Sequence, residues 1–222
     1  SDLGVASTIM PSPNVRPEQI TLDCEQGSDA WRQARLGIPT ASQYKRIMTN
    51  SGAASEQATA YLAELIAERI TGQPADGYTS DDMARGTELE PQARAAYEFA
   101  TGNSVQQIGG VYLDESRSIM ASPDGIMPEL RRGLEIKCPK LATHIRYILE
   151  GVIPREYLLQ VQGGLLVTGY DSWDFVSYHP DYTPQTTWIL NVKRDEKIIA
   201  ALEKHLRAFV ARLEAEMEKQ TC

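Results

Sequence analysis

The stretch Ser122-Pro123-Asp124-Gly125, followed by Leu134-Glu135-Ile136-Lys137-Cys138, constrains this chain more than any other. Side chains alternate along a strand, so Glu135 and Lys137 project from one face and Leu134, Ile136 and Cys138 from the other. Pro123-Asp124-Gly125 is turn chemistry. Asp124 and Glu135 are eleven residues apart and flank a hairpin tip made of Pro128, Glu129, Arg131, Arg132 and Gly133. A hairpin brings its two ends together, so both carboxylates and the ammonium gather at the edge of a buried strand. Such a cluster is costly to build unless it binds a metal and does chemistry.

Hard carboxylate oxygens select Mg²⁺ or Mn²⁺ over zinc. Two such ions can activate a water and stabilise the leaving oxygen of a phosphodiester. Lys137 then orients or deprotonates the water, or stabilises charge on the phosphorane. A Glu-x-Lys triplet by itself is a surface salt-bridge pattern; the upstream turn and the apolar strand around it set this one apart. A third acid is expected from outside the hairpin, and Arg85-Gly86-Thr87-Glu88-Leu89-Glu90-Pro91 is the best source. Glu88 and Glu90 point in different directions, and Glu90 sits just before Pro91. Alone, that segment reads as an acidic helix face.

Composition narrows the class. The 222 residues, 42% of them hydrophobic, suffice for one domain with a substantial core. Residues 1–20, with Pro11, Pro13 and Pro17, read as a flexible arm or leader, and 21–222 as a single domain. No apolar run approaches a membrane span. Cys24, Cys138 and Cys222 are scattered and lack CxxC spacing. That argues against a zinc site, an iron–sulfur cluster and a disulfide framework, and points to a reducing cytoplasm. The net charge of −8 argues mildly against non-specific nucleic-acid binding. A basic channel inside an acidic exterior remains compatible with it, because metal ions neutralise an acidic site locally.

The order of elements reads as helices, three strands, helices, two strands and a helix. Short helices are expected after Ser28 and over Ala41 to Met48, then longer ones over Glu56 to Thr71 and from Ser80 to about Thr101, kinked or restarted at Pro91. Strands are expected over Gln106 to Leu113, Ser118 to Ser122, Leu134 to Cys138, Ser172 to His179 and Thr187 to Val192. Helices over Leu141 to Glu150 and Arg155 to Thr168 separate the third and fourth strands, and Asp195 caps a final amphipathic helix. This is the α/β class, a mixed sheet flanked by helices.

At this level of detail the chain resembles the YqaJ-type viral recombinase nucleases of the PD-(D/E)xK superfamily. The resemblance runs from about Gly27 to the final helix. It rests on Gly27 to Trp31 with Arg35-Leu36-Gly37, Thr40-Ala41-Ser42, Gly86 to Glu90 with Ala93-Arg94, the two motifs above with Pro139, Gln160-Val161-Gln162, and Arg194 to Lys197. Each piece is modest, and the ordered set is specific.

The resemblance implies a restriction-endonuclease-like fold, with Glu90, Asp124 and Glu135 as metal-binding acids. It implies the Ile136 carbonyl as a further ligand, Lys137 as the catalytic lysine and Gln160 beside the active site. Arg35 and Ser42 match residues that bind the 5′-phosphate of the cut strand, and a guanidinium fork with a hydroxyl suits that anion. Met83 matches an apolar residue that wedges between terminal bases. Outside the family, Arg35 reads as a surface charge near Gly37, Ser42 as an exposed helix residue and Met83 as a core residue. Trp31 could stack on a base, although a structural role is favoured; His179 and His205 receive no function.

One departure stands out. A relative carries a further arginine ten positions after the matched serine, where this chain has Gly52, and residues 49–55 hold no basic side chain. The phosphate pocket is then either weaker here or completed by Lys45 or Arg46. The implied activity is a processive Mg²⁺-dependent 5′-to-3′ exonuclease on duplex DNA, with two ions per site and Mn²⁺ as a substitute. It would release mononucleotides, leave 3′ overhangs, form a homotrimeric ring and hand its product to a phage single-strand annealing protein. The competing expectations are a PD-(D/E)xK endonuclease of the restriction or junction-resolving kind and a non-catalytic DNA-end binding module.

Overall fold

The computed structural model describes residues 20–75 and 81–221, the side chains of 81–85 excepted. Residues 1–19 of the expected arm, Cys222 and the Met83 side chain therefore lie outside the described residues. The first part of the chain contains β1 (Ile20–Leu22), α1 (Asp29–Arg35), α2 (Ala58–Thr71) and α3 (Asp81–Thr101). The strands β2 (Gly110–Tyr112), β3 (Met120–Ala121), β4 (Gly125–Met127) and β5 (Arg132–Lys137) follow. Then come α4 (Leu141–Glu150), α5 (Leu158–Thr168), β6 (Ser172–Tyr178), β7 (Thr187–Lys193) and α6 (Glu196–Glu218).

Two sheets form. One is the antiparallel trio β1-β2-β3; the other has the order β4-β5-β6-β7, and its β5–β6 pair alone is parallel. A parallel pair needs a long crossover, and α4 with α5 supplies it. The hairpin appears as expected: Gly125 pairs with Leu134, and Arg131 turns the tip with φ 49°. One step further along the same register, Asp124 faces Glu135.

The alternation along β5 divides the core. Leu134, Ile136 and Cys138 pack with Val176, Tyr178 and, from α3, Ala93 and Tyr97. The opposite face of β6, with Trp173 and Phe175, joins Leu159 and Leu165 of α5 and Leu202 and Leu206 of α6. Glu135 and Lys137 sit in register with Phe175 and Ser177, and thus on the α5 side. Ser28 caps α1 by accepting from Trp31 N–H, and Asp195 caps α6 by accepting from Lys197 and Ile198.

Several expected boundaries shift. Ala41–Arg46 is a 3₁₀ turn rather than an α-helix, and Arg155–Tyr157 is a separate 3₁₀ turn before α5. The expected strand from Gln106 narrows to Gly110–Tyr112, while Gln106 bridges Ile126 alone. Strands β1 and β4 are additional, each three residues long, too short for alternation to announce them. Helix α3 runs through Pro91 as one element.

Candidate active site

Four elements converge at the open end of the β4–β5 hairpin. Asp124 N–H donates to the Leu134 carbonyl at 2.9 Å, and Ile136 N–H donates to Asp124 Oδ2 at 2.7 Å. The turn and the strand thus lock one carboxylate against the other. Glu135 is 5% exposed, and its Oε1 accepts from Gln160 Nε2 at 2.9 Å and pairs with Lys137 Nζ at 3.2 Å. Gln160 comes from the first turn of α5. Glu90 comes from α3, where Arg94 Nη2 donates to its Oε2 at 3.0 Å and to the Asp124 carbonyl at 3.0 Å.

The electrostatics follow from this crowding. Burial raises the Asp124 pKa well above the carboxylate range, and the charges of Glu135 and Glu90 push it further. Burial also raises that of Glu135, against the opposing pull of Lys137. Lys137 behaves in the reverse sense: burial opposes its charge, but Glu135 and Asp124 hold its pKa above the ordinary lysine value. Glu135 and Asp124 thus favour the ammonium form of Lys137, which suits orienting a water or stabilising negative charge.

Two cavities share the acids as a wall. A pocket of about 170 Å³ is lined by Arg35, Thr40, Ser42, Ser122, Gln160 and Trp173, together with Asp124 and Glu135. A groove of about 830 Å³ is lined by Glu90, Lys137, Lys140, Thr143, Tyr147 and Tyr157, again with Asp124 and Glu135. Gln26 and Trp31 border both.

Arg35 is the cation of the small pocket. Its Nη1 donates to Ser122 Oγ at 2.6 Å, and its guanidinium lies 4.0 Å from the Trp31 ring centroid. Trp31 is fixed in turn, because its Nε1 donates to the Gly109 carbonyl at 2.9 Å. The indole supports Arg35. Burial lowers the Arg35 pKa, countered by Tyr61, Glu68 and Tyr44, yet a guanidinium stays charged.

Neither candidate for completing the phosphate pocket borders it in this structure. Arg46 makes a two-pronged pair with Glu64 at 2.7 and 2.8 Å and covers the Tyr61 ring, while Lys45 is exposed; neither lines the small pocket. The Gly52 carbonyl accepts from His205 Nε2 at 3.0 Å, which ties that loop to α6 instead.

The structure adds residues that pattern reading left unassigned. Ser122, the first residue of the turn motif, accepts from Arg35. Gln26 donates to the carbonyls of Ile108 and Pro123, holding the turn before Asp124. Arg94 links two of the acid-bearing elements. Only Arg94 and Ser122 had a signal, as members of the motifs around Glu90 and Asp124. Among the described residues, no three acidic, His or Cys side chains already surround one point as a complete metal cage does. No helix among them is long and apolar enough to cross a membrane.

Residues 30–171 match the family described as the YqaJ-like viral recombinase domain. Among solved structures, an alkaline exonuclease from Laribacter hongkongensis is similar with a TM-score of 0.79 at 37% identity, covering 87% of this chain and 96% of that one. Its complex with dAMP gives 0.78 at 38% identity over the same shares. A phage related exonuclease from Haemophilus somnus 129PT gives 0.61 at 18% identity, covering 81% of this chain and 96% of that one, a likeness of fold alone. No curated protein matches the sequence. The two sheets flanked by helices are of the restriction-endonuclease-like type.

Proposed function

This chain belongs to the YqaJ-like viral recombinase domain family, and from that membership we propose that it is a metal-dependent exonuclease cutting one strand of duplex DNA from its 5′ end. The alkaline exonuclease of Laribacter hongkongensis, 37% identical, supports the nuclease role. The observation that carries the direction is the shared wall: Asp124 and Glu135 border both the Arg35 pocket and the Lys137 groove. A 5′-phosphate seated on Arg35, Ser42 and Ser122 leaves the first phosphodiester beside the acids. The unit released is then a mononucleotide, and the rest of the strand continues along the groove.

The residues fit a hard divalent cation. Asp124 and Glu135 are crowded carboxylates with raised pKa values, and Glu90 stands close enough to Asp124 to raise it further. A cation at that point relieves the repulsion, and all three donors are oxygens, as Mg²⁺ or Mn²⁺ prefers. Glu90, Asp124, Glu135 and the Ile136 carbonyl would hold it, two ions per site. Bound there, such ions supply water activation and stabilisation of the leaving oxygen.

The chain's own groups do the rest. Gln160 fixes the Glu135 carboxylate through one oxygen, and Lys137 presents its ammonium to the negative charge that develops on phosphorus. Arg35 and its hydroxyl neighbours hold the end in register, so that cutting repeats one nucleotide at a time. The proposal extends to a homotrimeric ring around DNA, in which closure keeps the duplex captive during processive digestion. The 3′ single strand left behind suits a phage single-strand annealing protein as partner.

Linear duplexes labelled at either end, with and without 5′-phosphate, test this reading in Mg²⁺, Mn²⁺ or chelator. Mononucleotides released from 5′ ends in a metal-dependent manner are expected. Degradation from 3′ ends or indifference to chelator overturns the proposal, and nicking of closed circular DNA marks an endonuclease instead. Sedimentation with and without DNA tests the trimer.

A further inference from the structure

The ammonium of Lys137 has a second neighbour besides Glu135. Its Nζ lies 4.4 Å from the centroid of the Tyr157 ring, over the face. A lysine head sits on a flexible four-carbon stem and holds one place only when its surroundings define it. One carboxylate oxygen at 3.2 Å pulls from one side, and it is already shared with Gln160. The negative face of an aromatic ring attracts a cation within about 6 Å, so Tyr157 closes the other side.

Tyr157 is itself held in place. Its ring packs against Phe175 with centroids 5.6 Å apart. The neighbouring Tyr147 hydroxyl donates to Glu156 Oε1 at 2.9 Å, anchoring the 3₁₀ turn Arg155–Tyr157 that opens into α5. Tyr157 and Gln160 are three residues apart and share one helical face. From it they address the two members of a single pair on β5: Gln160 bonds the Glu135 carboxylate, and Tyr157 covers the Lys137 ammonium. The Tyr157 face also lines the groove, so the ammonium and the ring border the same strand path.

We propose that Tyr157 is the positioning residue for Lys137, holding the ammonium between its ring face and Glu135 so that it points at the phosphate being cut. The proposal rests on the nuclease reading above, in which Lys137 acts as a cation. Tyr157-x-x-Gln160, running from the 3₁₀ turn into α5, is then the counterpart of Glu135-x-Lys137 on β5, each residue of one pair serving one residue of the other.

The decisive feature is the ring's electrons, and the test varies those while keeping its shape. Tyr157→Phe keeps kcat within about twofold of the parent, because the face is unchanged. Tyr157→Leu loses about 3- to 30-fold in kcat, with KM for DNA little altered. Phenylalanines with one, two and three ring fluorines, incorporated at 157, lower log kcat stepwise as the face weakens. In the metal-free protein, ¹⁵N NMR of the Lys137 ammonium shows faster proton exchange in Tyr157→Leu and no change in Tyr157→Phe. A Leu variant equal to the parent, a flat fluorination series, or a Phe variant as impaired as Leu each overturns the proposal. A parent protein that cuts no DNA defeats the nuclease reading instead, and the NMR comparison still decides whether the ring holds the ammonium.

Discussion

Arg94 reaches one turn back along α3 to pair with Glu90 at 3.0 Å, and the same nitrogen donates to the Asp124 carbonyl at 3.0 Å. Its Nε is buried without a hydrogen-bond partner among the described residues. One side chain therefore joins the helix that carries one acid to the turn that carries another. Arg94→Met is expected to destabilise the protein by about 1–3 kcal/mol, because the Asp124 carbonyl loses its donor and Glu90 its counter-charge. Arg94→Lys recovers part of that loss, since an ammonium keeps the charge without the fork. Urea unfolding of the three proteins measures both.

Lys137→Ala removes the ammonium that pairs with Glu135 at 3.2 Å. DNA ends should still bind, while cutting falls about 10²- to 10³-fold, the usual cost of losing one group that stabilises developing charge. Single-turnover digestion beside an end-binding assay separates the two, and turnover near the parent's rate excludes Lys137 from the mechanism.

Arg35→Ala empties the small pocket of its guanidinium. The preference for 5′-phosphorylated over 5′-hydroxyl ends should fall about 10- to 100-fold, matching the loss of a charged hydrogen bond. Ser42→Ala should produce a smaller loss of the same preference. Competition between the two kinds of end reports it directly, and an unchanged ratio in Arg35→Ala removes that pocket from 5′-end recognition.

A Cβ added at Gly133 would run into the Trp173 ring, and one added at Gly164 on α5 would lie 2.6 Å from the same ring. With glycine on both sides the indole has nowhere to shift, so Gly133→Ala should cost about 1–3 kcal/mol. Gly86→Ala, in open space on α3, should instead stabilise by up to about 1 kcal/mol through helix propensity. Thermal melts of the pair give opposite signs if both arguments hold.

His144 is fully buried, accepting at Nδ1 from Ser177 and donating from Nε2 to the Gln185 carbonyl. Burial lowers its pKa in the folded state. The unfolded chain, with histidine near about 6.5, thus binds more protons between the two values. The stability it contributes is complete above about pH 6.5 and declines as pH falls toward the folded-state pKa. His144→Gln should flatten the slope of unfolding free energy with pH in that interval, and an identical slope in both proteins counts against the assignment.

Much of the site was legible because its parts are local. Asp124, Glu135 and Lys137 lie within one hairpin, where a turn motif and strand alternation determine which side chains meet. The order of helices and strands followed from periodicity and caps such as Ser28 and Asp195. Short elements escaped, because three residues of β1 or β4 carry too little alternation to stand out from loop. The surroundings of Lys45 and Arg46 were not legible for a different reason. Lys45 and Arg46 were near Ser42 in sequence, but Arg46 found a better partner in Glu64, eighteen residues away.

The sequence by itself determined which candidate groups the chain offers: two acids and a lysine at a strand edge, with a further acid upstream and, through the family resemblance, an arginine. Tertiary structure decided how those groups are held. Tyr157 over Lys137, Gln160 on Glu135, Arg94 between Glu90 and Asp124, and Trp31 beneath Arg35 all join different elements of the fold. Their meeting depends on how helices pack on the two faces of β5, and no local pattern encodes that packing. A periodic motif fixes direction within a strand or helix, whereas the contact between elements is set by the complementary shape of the whole core.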